Sequence, residues 1–317
     1  MTRHLLTTML TIFLLTTFAC SDGGGPAGPG EPGEGDAVAW FNGLGYTVDL
    51  YFPSDGTLTG NAFVTGEVPN DIVALGEGMF LTVNSSSSDL MVFDIEGEGA
   101  AALVELAPGS NPWAACASPD EVFVSLLTAG QVAVVDRDSW QVLRYMDAGP
   151  NPSGISLAAG RLFVSHSNWP EPGCGGVTIL DPASGDSLGF VETPENTYWL
   201  RSMPSTGMVH AASSTYQDDG AVTIIDPVSG GIEAVIQTGG SPVLGGEAGA
   251  GFAAGDGFSS GGLYIYGEDG SFTEYDTGHC VNGLVALGDT LFLACFPEDA
   301  VYLWSLSESG IEGSLQA

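Results

Sequence analysis

The sequence predicts an all-β fold, a seven-bladed β-propeller with four antiparallel strands per blade, and three observations carry the prediction. The chain of 317 residues holds 47 Gly and 18 Pro. Beyond its first twenty residues no segment sustains a 3.6-residue apolar period, which leaves short alternating strands punctuated by turns. A second-strand marker recurs at Trp40, Phe80, Phe123, Phe163, Val209, Phe252 and Phe292, at spacings of 40, 43, 40, 46, 43 and 40 residues. Seven recurrences at that period are the mark of four-stranded blades arranged in a ring. Finally, Asp94, Asp136, Asp181 and Asp226 close the third strand of four units. An Asp before Pro and Ser-Gly, as in Asp181-Pro-Ala-Ser-Gly and Asp226-Pro-Val-Ser-Gly, makes a tight turn because its carboxylate bonds backbone two residues on, Pro presets φ and Gly accepts the left-handed region. These Asp residues are expected to form turns, not to catalyse.

Residues 1–19 read as a leader. Arg3 and His4 precede an uncharged apolar run, Leu5 to Ala19, too short to span a bilayer and of the right length for a signal peptide. The junction Phe18-Ala19-Cys20-Ser21 resembles a bacterial lipoprotein signal, which implies lipidation of Cys20 and delivery to the outer membrane or cell surface, or to the periplasmic side. Membrane attachment is expected through that N-terminal lipid alone. Residues 21–36 are Gly, Pro, Ser, Asp and Glu with one Ala, so they bury nothing that offsets chain entropy; residues 20–36 are expected to be a lipidated Cys and a disordered tether. The propeller domain is expected over residues 37–317.

The best copy of the unit runs from Asn151 to Pro194: Pro152-Ser-Gly-Ile-Ser-Leu, Gly160-Arg-Leu-Phe-Val-Ser-His, Val177-Thr-Ile-Leu-Asp and Leu188-Gly-Phe-Val-Glu. The first unit shows three strands, near Val38–Asn42, Thr47–Phe52 and Gly60–Val64, and lacks an innermost one. The last unit spends four strands on itself, so nothing obvious completes the ring.

Charge narrows the partners. The 39 acidic residues face five Arg and no Lys, a formal net charge of −34. Such a surface repels phosphate backbones, which argues against nucleic acid, and it suits a salty medium or cationic partners. If Cys20 is lipidated, Cys116, Cys174, Cys280 and Cys295 remain, with no Cys/His spacing that suggests zinc. Cys280 and Cys295 flank the first hairpin of the last unit and are expected to form a disulfide.

The segments Phe123-Val-Ser, Phe163-Val-Ser-His, Phe292-Leu-Ala and Val177-Thr-Ile-Leu-Asp resemble the YVTN-type propeller repeat of surface-layer and quinoprotein-like proteins, over about residues 38–317. The repeat's Asn is lost in most blades, and Gly267 and Ser305 stand where the closing Asp is usual. The resemblance implies a binding or scaffold module. The heme-attachment and quinone-binding motifs of enzymatic relatives are missing.

Candidate site residues lie on the face that carries the interblade loops. Asn70, Asn111, Asn151, Asn196 and Asn282 form a partial ring of amides, competing with their use in turns. The longest loops between second and third strands hold His166 and Trp169 in the fourth unit and Tyr216 in the fifth; with Trp113 and His279 they make a candidate recognition surface for an envelope protein, polysaccharide or small ligand. Arg201, on the channel strand of the fifth unit, is a candidate for a carboxylate or sulfate, against the alternative that it holds blades together by pairing with an acid. Asp218 and Asp219 are the weak candidates for calcium, and no other cofactor is expected. The binding reading is preferred over a metal-dependent hydrolase or lyase at the channel mouth, and a monomer is expected.

Overall fold

A computed structural model describes residues 15–18, 36–42, 45–168, 173, 175–257 and 261–316. These residues form seven four-stranded antiparallel sheets whose strands lie side by side in chain order. The first strands are Leu15–Phe18, Pro69–Gly76, Pro112–Ala117, Pro152–Ala158, Thr197–Ser202, Pro242–Ala248 and Gly283–Leu287. Each touches the first strand of the next sheet, and the last touches Leu15–Phe18, so the seven close a ring around a channel. The expected seven-bladed propeller is the observed fold.

The innermost position of blade 1, unfilled in the sequence reading, is taken by Leu15–Phe18, which pairs antiparallel with Ala37–Asn42 in the register Leu15 to Trp40 and Phe18 to Ala37. This strand lies within the expected leader. The remaining three strands of that blade match the sequence reading, with the last extended to Thr57–Val64.

Alternation explains the core. Successive side chains of a strand point to opposite faces of its sheet, and in a ring each face meets a different neighbouring blade. In blade 5, Val209 packs with Phe163 and Val177 of blade 4, while the next residue, His210, meets Phe252 and Tyr266 of blade 6. Among the described residues the apolar core divides into seven clusters, one at each junction between blades. A fully buried Phe at such a junction contributes about 2–3 kcal/mol from burial.

Register divides the repeat markers between two adjacent slots. Phe123, Phe163 and Phe292 stand opposite Val134, Ile179 and Leu303, each two residues before the end of the third-strand motif. In blade 5 the residue so placed is His210, opposite Ile224. Phe80, Phe252 and Val209 instead stand opposite Phe93, Tyr266 and Ile225, one residue before that end, so His210 holds in blade 5 the slot that Phe fills in blades 3, 4 and 7, and Val209 the slot of Phe80 and Phe252. A search for apolar residues slides past His210 because the ring that fills the slot is polar.

The Asp turns form as expected. Asp94 Oδ1 accepts from Glu96 N, Asp136 Oδ1 from Ser139 N, Asp181 Oδ1 from Ala183 N and Ser184 N, and Asp226 Oδ1 from Val228 N, at 2.7–2.9 Å. These bonds favour the ionised form and hold the carboxyls of Asp136, Asp181 and Asp226 below the usual range.

The Cys280–Cys295 disulfide is not formed; both are free thiols, as is Cys116. Register gives the reason. Pairing of the first two strands of blade 7 begins at Gly283 with Ala294, so Cys280 precedes the ladder. Its Sγ lies 3.8 Å from Asp256 O of blade 6 and 3.6 Å from Asn282 Nδ2, while Cys295 is packed opposite Ala300 of the third strand.

Candidate functional site

The channel mouth is built by the loops that lead into the first strands. Asn111, Asn151 and Asn196 take positive φ (54°, 48° and 58°), a region Asn enters at lower cost than most side chains. Their carbonyls accept from Leu127 N, Ser167 N and Ser214 N and so close the inner end of each blade. The amides are used there too. Asn151 Nδ2 donates to Ser167 O at 3.0 Å, Asn196 Nδ2 to Ser214 O at 2.5 Å, and Asn282 Nδ2 to Gly257 O at 2.6 Å. Asn196 Oδ1 accepts from Asn168 N, and Asn282 Oδ1 from Phe296 N. The ring of amides thus holds loops, and turn chemistry explains it better than a ligand does.

Asn70 differs. It bulges out of the ladder between Pro69 and Asp71, is 3 % exposed, and its Nδ2 has no partner among the described residues, nor does Asn84 Oδ1 on the paired strand. One orphan is a donor and the other an acceptor, the complement that a bridging water satisfies.

His166 leaves the candidate list on geometry. It is buried, with Nδ1 2.6 Å from Pro150 O and Nε2 2.7 Å from Thr178 Oγ1. A carbonyl only accepts, so Nδ1 carries the proton and Nε2 accepts from the hydroxyl. Burial lowers its pKa, keeping it neutral. Trp113 is half-buried against the junction of blades 3 and 4. Trp169 lies outside the described residues.

Tyr216 is the exposed aromatic of the mouth. It is 46 % exposed, at φ +63°, and its ring stacks on Tyr198 with centroids 6.2 Å apart. Tyr198, on the first strand of blade 5, donates from its hydroxyl to Pro242 O of blade 6 at 3.0 Å. A left-handed aromatic costs about 1–3 kcal/mol, held only where surroundings over-determine it. Here they do: Asp219 accepts from Thr215 N and Thr215 Oγ1; Ser214 Oγ accepts from Tyr216 N and has its one proton between Gly240 O and Asp219 Oδ1; Asp218 Oδ1 accepts from Gly240 N. The carboxylates considered for calcium are therefore engaged by protein donors, and Asp219 sits below its usual pKa through those bonds, which outweigh its slight burial. Among the described residues no three His, Cys, Asp or Glu side chains gather as a metal-binding group.

His279 belongs to a separate cluster on blade 7. Its Nδ1 lies 2.7 Å from Glu298 Oε2, its ring stacks 3.8 Å from that of Tyr302, and Tyr302 donates to the same carboxylate. The hydroxyl of Tyr302 is pushed up to about 12 by that bond, and Glu298 is held low by its two donors.

Inside the channel, Arg201 Nη1 donates to Gly245 O at 2.5 Å and Leu244 O at 3.4 Å of blade 6. It ties blades together as expected, but through backbone carbonyls, with no carboxylate within 4 Å among the described residues. On the first strand of blade 2 stands Asp71, which feels the Arg201 charge and which the sequence reading missed. Asp71 is 5 % exposed, and its Oδ2 accepts from Ala115 N of blade 3 at 2.8 Å. Burial raises its pKa to about 7 against the pull of two backbone N–H groups and of the Arg201 charge. An acid in the first strand beside Asn70 was a legible signal, passed over because acids are so common in this chain.

The protein is, then, a seven-bladed β-propeller whose first strands carry one Arg and one buried acid bonded to neighbouring blades, and whose mouth presents a rigidly held tyrosine. No known family profile matches the chain, and no curated protein matches it in sequence. Solved structures share its fold. Hydrazine synthase of Kuenenia stuttgartiensis is 14 % identical, with 85 % of this chain and 92 % of that one covered at a TM-score of 0.71. Virginiamycin B lyase of Staphylococcus aureus is 14 % identical, over 90 % and 96 % of the chains, at 0.67. The computationally designed Ika8 protein is 14 % identical, over 85 % and 80 %, at 0.62. At such identities the likeness is one of fold, and one propeller scaffold hosts many functions.

Proposed function

We propose that the protein is an exported propeller, lipid-anchored at Cys20, that binds an envelope protein or polysaccharide through the mouth face. Cleavage before Cys20 removes Leu15–Phe18 and leaves the mature blade 1 with the three strands Ala37–Asn42, Thr47–Phe52 and Thr57–Val64. The observation that carries the reading is Tyr216: an aromatic held half-exposed in a strained conformation, by a network that leaves its loop little freedom, stacked on a second tyrosine at the rim of the channel. Aromatic faces held rigid lose little entropy on binding and offer apolar area to a sugar ring or an apolar side chain. The leader, the Cys20 junction and the Gly/Pro tether support delivery to the envelope and a domain standing off the membrane by some 20–25 Å, at about 5–6 Å times the square root of the tether length.

The test uses envelope polysaccharide and envelope protein fractions from the producing organism, immobilised separately, with the wild type and a Tyr216→Ala, Trp169→Ala double variant. Saturable binding that drops at least tenfold in the variant is expected. Equal binding by both proteins sinks the mouth-face reading. Metabolic labelling with a fatty-acid analogue, expected in the wild type and lost in Cys20→Ser, checks the anchor separately.

A further inference from the structure

We infer that processing opens an acceptor slot in the ring: the innermost position of blade 1 takes an extended, uncharged segment donated by a different protein, through a β-ladder with Ala37–Trp40. The slot exists only if the export reading holds, because cleavage before Cys20 is what empties the position.

Blade 1 alone is built so that a cut can do this. In blades 2 to 7 the first strand joins the second through a turn of at most six residues, the longest being residues 203–208. In blade 1 the two strands are joined by residues 19–36, and Cys20 lies in that connection. A cut there takes away one whole strand and leaves every other strand of the ring intact.

The strand that leaves has neighbours on three sides. It pairs in the register Leu15 to Trp40, Thr16 to Ala39, Thr17 to Val38 and Phe18 to Ala37, and it touches the first strands of blades 7 and 2. The walls of its place belong to the mature chain. Val38 and Trp40 pack with Val285, Leu287 and Phe292 of blade 7, and Ala37, Ala39 and Phe41 with Ile72, Phe80 and Phe93 of blade 2. What cleavage takes away is the ladder itself, so the edge of Ala37–Trp40 faces the channel as a row of unpaired backbone donors and acceptors. Such an edge is a template for an added strand.

The segment that fits sets the chemistry of the occupant. Leu-Thr-Thr-Phe is uncharged, with β-branched residues at its centre and apolar residues at its ends. The tether cannot replace it: residues 21–36 carry Pro26, Pro29 and Pro32, which supply no N–H to a ladder, with Gly and acids between them. A second copy has no strand to give, since its described strands are all laid into its own sheets. The added strand therefore comes from a different chain.

The test uses the processed lipoprotein, purified in detergent from the membranes of the producing cell, with the labelled peptide Leu14-Leu-Thr-Thr-Phe-Ala19 as probe. Saturable binding by fluorescence anisotropy is expected, at least tenfold tighter than that of a scrambled peptide. In an antiparallel ladder alternate residues turn their N–H to the partner. N-methylation at Leu15 and Thr17, or at Thr16 and Phe18, is thus expected to weaken binding at least tenfold for one pair and far less for the other. The full chain carrying Cys20→Ser, made in the cytoplasm with its leader kept, is expected not to bind, because its own strand is in place. No binding to the processed chain overturns the proposal, as does an equal effect of the two methylated peptides, or binding to the unprocessed chain as tight as to the processed one. A native mass that shows the cleaved leader still attached overturns it too. Intact mass separates this proposal from the export reading. A chain that still begins at Met1 sinks both, whereas a chain that begins at a lipidated Cys20 and binds no peptide sinks the acceptor slot alone.

Discussion

The ring has two unlike arcs. From blade 2 to blade 6 every junction carries one Arg bonded to a backbone carbonyl of the adjoining blade: Arg137 to Leu75 O, Arg144 to Pro182 O, Arg161 to Pro227 O and Val228 O, and Arg201 to Gly245 O. From blade 6 through blades 7 and 1 to blade 2 there is no Arg among the described residues. Those junctions rely on aromatic and aliphatic packing, with Tyr275 against Trp304, Tyr51 against Phe292, and Phe63 against Phe80 and Phe93. The four Arg of the described chain are thus distributed one per junction over a single arc. The unclamped arc contains blade 1, whose innermost strand, Leu15–Phe18, lies far in sequence from its partner Ala37–Asn42. The difference teaches where closure is weakest: a ring opens at the junctions that no Arg clamps.

The largest effect expected is at that seam. Phe80 is fully buried between blades 1 and 2, 5.1 Å from Phe93. Phe80→Ala should cost about 3–5 kcal/mol and lower the melting temperature by roughly 10 °C. If the transition also splits in two by calorimetry, the seam opens before the clamped arc. A single cooperative transition would break the comparison.

Next come two pH limbs of opposite sign, both within the clamped arc. His210 is wholly buried, with Nδ1 3.0 Å from Tyr266 OH and Nε2 3.4 Å from Glu268 Oε1; Glu247 adds a more distant negative charge. Burial outweighs these acids and lowers its pKa from 6.5 to about 4. The unfolded chain then binds the proton more readily, so stability is present above about pH 6.5 and falls as pH drops toward 4, by on the order of 3 kcal/mol. His210→Phe, which places in blade 5 the residue that fills the same slot in blades 3, 4 and 7, should flatten that limb. Asp71 runs the other way. Raised to about 7, it favours the folded state below pH 3.8, and that contribution is lost as pH rises through 7. Asp71→Asn should remove this loss, which runs from about pH 3.8 to 7 and opposes the His210 limb in the same window. Urea midpoints from pH 4 to 9 check both signs.

The clamps themselves should give smaller effects. Arg161→Met and Arg137→Met should each cost about 1.5–3 kcal/mol, the range of a hydrogen bond to a charged group, and thermal melts should show them weakening the clamped arc without splitting the transition. Glu121→Gln, which removes the half-exposed partner of Arg144 at 2.8 Å but leaves the clamp to Pro182 O, should cost no more than about 1 kcal/mol.

Much of this architecture was legible in the sequence, and for physical reasons. The period near 40 residues, the Asp turns and the alternating strands are local constraints, and local constraints are written in adjacent residues. What escaped the reading depended on contacts between blades. Leu15–Phe18 reads as part of an apolar leader, and only ring closure gives it a partner. His210 breaks an apolar pattern that its own slot continues. Asp71 matters because it bonds Ala115 N of the next blade, 44 positions on in the sequence. The loop Asn residues were visible but ambiguous, since the same amide that suits a ligand suits a left-handed turn, and the structure uses it for the turn. The cysteines of blade 7 looked paired by spacing, yet the ladder begins only after Cys280.

The distribution of arginine also fixes how the molecule meets a protease. Trypsin cuts after Lys or Arg, and this chain has no Lys and five Arg, of which Arg3 lies near the start. The other four are the junction residues, each with its guanidinium bonded across to the neighbouring blade. Cleavage there requires the local backbone to leave its sheet at Arg144, Arg161 and Arg201, and its turn at Arg137. For trypsin, the clamped arc therefore contains every cut among the described residues, and the weak seam contains none; digestion there reports the opening of the clamped arc and is blind to the other.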